Sequence, residues 1–134
     1  MKIGQVAAIS GFPIKTIRYY EDIGLLSPSV KRSDSGYRLF EESVLSRLDF
    51  IKQAKSLGLS LREIREILEI RDRGLLPCRE VKQQLHNKVI EINNQIEALG
   101  ILKAELEQIL MHWQDRPLNH QVGETICPNI QNKQ

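Results

Sequence analysis

Apolar residues return every three or four positions through most of the chain, and glycines and prolines mark where that rhythm stops. Ile3, Val6, Ala7 and Ile9 predict a short helix that Gly11 can end in a left-handed cap. Phe12-Pro13 turns the chain, and Pro13 suits the start of a second helix over about 14–23. On it Ile14, Ile17 and Tyr20 are expected to face inward, with Lys15, Arg18, Tyr19 and Asp22 on the other faces. Serines, aspartate and glycine at 33–36, between two short β-capable segments, predict a hairpin. A third helix is expected from Glu41 and Glu42, whose carboxylates favour a helix N-terminus. Val44, Leu48, Ile51 and Ala54 form its inner face and Gly58 its stop. Ser60-Leu61-Arg62-Glu63 is a capping box for a fourth helix, which buries Leu61, Ile64, Ile67, Leu68 and Ile70.

Arg71-Asp72-Arg73-Gly74 and Pro77 read as a linker. Residues 79–112 then hold no proline and a single glycine, Gly100. Apolar side chains fall at 85, 89, 92, 96, 99, 102, 106, 110 and 113, close to a heptad seam with one irregularity near Gly100. At 1.5 Å per residue such a helix is about 50 Å long, too long to pack fully on so small a domain. The residues after it are polar and irregular. The seam therefore calls for a partner helix, most economically from a second copy of the chain.

Two short helices joined by a few residues including glycine make a helix-turn-helix, or else an ordinary helical hairpin. The hairpin that follows is basic, with Lys31, Arg32 and Arg38 beside Tyr37. It reads as a wing laid along a polyanion, or as a plain turn. Cations neutralise phosphates and phenols hydrogen-bond them, so the stretch 14–40 has the chemistry of a nucleic-acid surface as well as that of a solvated face. The amides at the start of the fourth helix, with Arg62 beside them, are a further phosphate candidate.

Charge narrows this only slightly. The 134 residues carry a net charge of +2, with 13 Lys/Arg against 10 Asp/Glu up to residue 77 and 6 against 7 beyond it. Polyanion binding therefore belongs to the first part and depends on placement more than on bulk charge. No apolar run approaches the ~20 residues of a membrane span, and Gln5 and Ser10 interrupt any signal-peptide core. A cytoplasmic protein without membrane partners is expected. No nucleophile–base set, glycine-rich phosphate loop or catalytic carboxylate pair is present, so an enzyme is not expected. The two cysteines, Cys78 and Cys127, are too few for a disulfide scaffold and favour metal or redox chemistry.

KIGQVAAISGFPIKTIRYYEDIGLLSP, then SGYRLFEE, then LDFIKQAKSLGLSLREIREIL together resemble the MerR family of bacterial transcriptional regulators, almost without gaps over residues 2–70. The long helix is similar to the antiparallel dimerisation helix of that family. The fold implied is mostly all-α. Residues 1–71 form a winged helix-turn-helix head and 72–78 a linker. Residues 79–112 form the coiled-coil dimerisation helix, and 113–134 an effector-binding loop and tail. The resemblance implies a homodimer on a promoter pseudo-palindrome in double-stranded DNA, which bends and untwists the duplex to realign it for RNA polymerase. Its DNA-contacting positions map onto Lys15, Arg18 and Tyr19 in the second helix and Arg32, Tyr37 and Arg38 in the wing; Thr16 and Arg62 are expected DNA contacts beside them.

The resemblance also speaks to the effector. Cys78, at the head of the long helix, is similar to the cysteine of the divalent-metal branch, and Cys127 within TICPNI resembles its distal loop cysteine. Such a thiolate pair suits a soft or borderline ion, with Cys78 of one subunit meeting Cys127 of the other. Where that branch has a further cysteine near residue 113, this chain has Met111-His112-Trp113-Gln114. Two thiolates leave a zinc site incomplete, and His112 or His120 could complete it. Zinc is the expected ion, with cadmium, lead, mercury or cobalt as alternatives. A thiol sensor of oxidants or electrophiles is the competing expectation.

Overall fold

The computed structural model describes residues 1–116 and 123–131. The order is α1 (Ile3–Ser10), α2 (Ile14–Asp22), a 3₁₀ turn (Ser27–Ser29), β1 (Val30–Arg32), β2 (Arg38–Phe40), α3 (Ser43–Ser56), α4 (Leu61–Asp72), α5 (Cys78–Met111) and α6 (Pro128–Gln131). Two compact units result, Met1–Lys88 and Val89–Gln134.

The first unit closes around Val6, Ile17, Tyr20, Leu25, Leu26, Phe40, Val44, Leu48, Ile51, Ile64 and Ile67. Gly11 at φ 80° ends α1 and Gly58 at φ 87° follows α3, both in the left-handed region that glycine tolerates without strain. Val44, Leu48, Ile51 and Ala54 are all buried. On α4 the buried set is Ile64, Ile67 and Leu68, with Leu61 and Ile70 only half-buried. The two strands pair antiparallel in the register Val30–Phe40, Lys31–Leu39 and Arg32–Arg38. Helix α3 starts at Ser43, two residues later than its acidic start signal, because Glu41 pairs with Lys31 across 3.1 Å and Glu42 becomes the cap residue.

The capping box at α4 is complete. Ser60 Oγ accepts from the Glu63 amide at 3.1 Å, and Glu63 Oε1 accepts from the Ser60 amide at 2.8 Å. That backbone hydrogen bond from Ser60 holds the Glu63 carboxyl below its ordinary 4.5, against a smaller opposing effect of burial. A depressed carboxyl pKa stabilises the fold above its unfolded value, and the contribution is lost as pH falls through the folded value. Ser60→Ala is expected to cost about 1 kcal/mol at pH 7. Because alanine at 60 keeps the amide that holds the Glu63 carboxylate, the deficit should change little as urea titrations are taken below pH 4.5, while wild type and variant alike lose stability there.

The first turns of α5 pack on the head, within the same compact unit. Gln84 is buried and its amide donates to the Glu63 carbonyl at 3.0 Å and to Glu80 at 3.2 Å, while Lys88 reaches Glu63 at 3.5 Å. Helix α5 begins at Cys78 and ends at Met111, one residue earlier at each end than the 79–112 expected from the sequence.

Candidate functional site

The second helix of the head carries the cationic face. Ile17 and Tyr20 point into the core, Tyr20 meeting Phe12 edge-on with centroids 5.8 Å apart. Burial of those two side chains leaves Lys15, Arg18 and Tyr19 exposed, with Thr16 half-buried between faces. Ile14 departs from expectation. It is 41% exposed, because α2 has only nine residues and its tilt is set by Ile17 and Tyr20, which leaves the first turn outside the core.

In the wing, Arg32 and Tyr37 are exposed. Arg32 donates to the Gly36 carbonyl at 3.3 Å, bracing the turn. The ring of Tyr37 has Lys2 Nζ over it, 5.5 Å from the centroid. Arg38 is placed differently from a free phosphate cation. Its Nε donates to Glu21 Oε2 at 2.9 Å and its Nη2 to Asp22 Oδ1 at 3.2 Å, tying β2 to the end of α2. These carboxylates also offset the repulsion expected between Arg32 and Arg38, which lie directly opposite in the ladder. Arg62, at the start of α4, is highly exposed and 3.7 Å from Glu66. Lys15, Arg18, Tyr19, Arg32 and Tyr37 are thus presented to solvent by one small head.

Two residues that organise this surface carry no local sequence signal. Arg47 on α3 donates through Nε to the Leu25 carbonyl and through Nη1 and Nη2 to both oxygens of Asp72, at 2.7 and 3.0 Å. It joins the turn behind α2, helix α3 and the last residue of α4. Lys2, above Tyr37, is the other.

The thiols lie apart in the chain. Cys78 is free and exposed as the first residue of α5. Cys127 is free and half-buried, in a segment held by two bonds between Gln114 and Asn129, at 2.9 and 3.0 Å. The Gln131 side chain accepts from the Ile126 and Cys127 amides at 2.6 and 2.7 Å. His112 is exposed just after α5, and His120 lies outside the described residues. Among the described residues no group of three or more His, Cys, Asp or Glu side chains comes together within one chain.

Along α5, Leu85, Val89, Ile92, Ile96, Leu99, Leu102, Leu106 and Leu110 are each at least 37% exposed. No helix among the described residues is long and apolar enough to cross a membrane.

Residues 1–70 match the family described as MerR HTH family regulatory protein, and residues 45–109 match the one described as MerR, DNA binding. A probable heavy metal-dependent transcriptional regulator of Haemophilus influenzae is 41% identical over 115 residues, 86% of each chain. The transcription regulator PbrR691 of Ralstonia metallidurans, solved in complex with lead(II), superposes with a TM-score of 0.78 at 32% identity, over 88% of this chain and 91% of that one. The dual-function regulator MerR of Bacillus megaterium, solved with mercury(II), gives 0.63 at 32% identity over 98% of both.

Proposed function

This chain belongs to the MerR family of helix-turn-helix regulatory proteins and is a DNA-binding transcriptional regulator, and we propose that a divalent metal ion held by Cys78 and Cys127 switches it between two promoter geometries. It acts as a homodimer, two heads binding the two halves of a promoter pseudo-palindrome. Lys15, Thr16, Arg18 and Tyr19 contact base edges and phosphates, and Arg32, Tyr37 and Arg62 contact the backbone. Arg38 contributes from the base of the wing, whose angle to α2 it holds. The functional division is a head at 1–71, a linker at 72–78, the dimerisation helix at 79–112 and the effector loop at 113–134.

The observation that carries the metal reading is Cys78, a free and exposed thiol at the point where the linker from α4 enters α5. The donor chemistry fits the ion: thiolates favour soft and borderline cations, and the segment bearing Cys127 is held by its own hydrogen bonds. In the dimer Cys78 meets the partner subunit's Cys127, with imidazole from His112 or His120 completing a set suited to zinc, ahead of cadmium, lead, mercury or cobalt. An ion can shift the promoter only by binding one arrangement of the heads more tightly than another. Distorting a duplex costs several kcal/mol, which the head's phosphate contacts must offset. The distorted promoter is then productive for RNA polymerase, in a cytoplasmic setting.

The test is the metal content of anaerobically purified protein, with competition among zinc, cadmium, lead, mercury and cobalt. At least one ion is expected to bind tightly, with an affinity that Cys78→Ser lowers by more than the roughly 10–100-fold that loss of an outer partner of a ligand costs, while metal-free operator binding is kept. Unchanged metal affinity in Cys78→Ser sinks the assignment. If no divalent ion binds tightly, a response of the same thiols to peroxide or aldehyde, without metal, is the reading that replaces it.

A further inference from the structure

Ile14 has an apolar side chain that the core does not use. The head already buries fourteen apolar side chains without it, and on α2 the inward positions are taken by Ile17 at 0% and Tyr20 at 4% exposure. Ile14 is the first residue of that helix and stands 41% exposed. Residues four apart lie one above the other on a helix, so Ile14 sits one turn before Arg18, and Lys15 follows it directly. A branched hydrocarbon thus occupies the leading turn of a face whose other exposed members are cations and a phenol.

In a helix-turn-helix, the N-terminal residues of the second helix are those that reach base edges in the major groove. The floor of that groove presents hydrogen-bonding groups at every base pair and a single kind of apolar group, the C5-methyl of thymine. We propose that Ile14 is a specificity-determining residue that packs on the 5-methyl group of a thymine in each operator half-site, one helical turn from the contact made by Arg18. Lys15 and Arg18 supply affinity through charge, and Ile14 supplies a preference for thymine that charge cannot express. The proposal rests on α2 being the groove-facing helix.

The test uses the full-length protein and a duplex it enriches from a random-sequence pool. Each thymine in turn is replaced by uracil, which removes the methyl group and leaves pairing and every hydrogen-bonding group in place. Wild type is expected to lose about three- to tenfold in affinity at one position per half-site. Ile14→Ala should bind the thymine duplex correspondingly more weakly and be indifferent to uracil there, while keeping its sensitivity elsewhere. The double-mutant cycle isolates the pair. Because the side chain is exposed, Ile14→Ala should melt with wild type, and Ile14→Val should restore part of the thymine preference. Identical uracil profiles for wild type and Ile14→Ala overturn the proposal, as does an equal loss by Ile14→Ala on every duplex. Failure of wild type to enrich any sequence overturns the groove-facing reading itself and the proposal with it, an outcome distinguished before any variant is made.

Discussion

Glutamate in place of Ile96 is expected to make the protein sediment as a monomer and to weaken operator binding by about a hundredfold or more. Ile96 is 62% exposed midway along an apolar seam whose other members, among them Ile92 and Leu99, are exposed as well. A helix with such a stripe is a poor isolated structure in water and gains its stability from a facing helix. Four or more uncovered aliphatic side chains within a few turns also exceed the scattered apolar exposure normal on a monomer surface. A buried carboxylate at the centre of that seam has no partner, and its desolvation opposes association. Without the proposed dimer each head would have to find its half-site independently, forfeiting an avidity of about 10²–10⁴. The compact unit Met1–Lys88, which holds the head and the first turns of α5, does not contain Ile96, so its melting should be little changed. A variant that remains dimeric at micromolar concentration and keeps full operator affinity would contradict the seam as the dimer contact.

The second large effect is expected at Arg47. Its side chain is 10% exposed and holds the carbonyl of Leu25 and both oxygens of Asp72. Removing one partner of a buried, hydrogen-bonded charge costs more than the pair was worth, because the remaining groups are left desolvated and unmatched. Arg47→Ala is expected to destabilise the head by about 2–3 kcal/mol in urea titrations, partly relieved because Asp72 is 31% exposed and can be hydrated. Arg47→Lys should recover little of the loss, since an ammonium cannot reproduce the two-pronged contact with a carboxylate. Asp72 is the last residue of α4 and the first of the linker to Cys78. The same variant should therefore loosen the hold of the head on the start of that linker. Wild-type stability in Arg47→Ala would refute the strut.

Much of this architecture could be read from local patterns. The capping box at Ser60, the stop at Gly11, the inner face of α3 and the uninterrupted α5 rest on residues within a turn or two of each other, where spacing and backbone preference act directly. The basic hairpin and the helix before it were legible for the same reason, and so was membership of the family. What escaped reading is non-local. Arg47 and Asp72 lie 25 positions apart, and neither breaks the polar rhythm of its own helix. Arg38 looks like any basic wing residue until Glu21 and Asp22 are brought against it by the fold. Gln84 looks like one more polar position on a solvated helix, yet it is buried against the first turn of α4 through the Glu63 carbonyl. Ile14 misled in the opposite direction: its spacing from Ile17 fits an inward face, but a helix of nine residues is oriented by its best-buried pair. The cysteines were visible as chemistry, whereas a pairing between subunits has no signature in one chain's spacing.

Metal at Cys78 is proposed to change the geometry of bound DNA without being needed for binding. This is tested most directly by energy transfer between dyes at the two ends of the operator in the protein–DNA complex, titrated with zinc, cadmium, lead, mercury and cobalt. A saturable change in transfer is expected for wild type with the complex intact, and no change for Cys78→Ser bound to the same operator. Unchanged transfer in wild type while an ion is bound, or an equal change in Cys78→Ser, would contradict it.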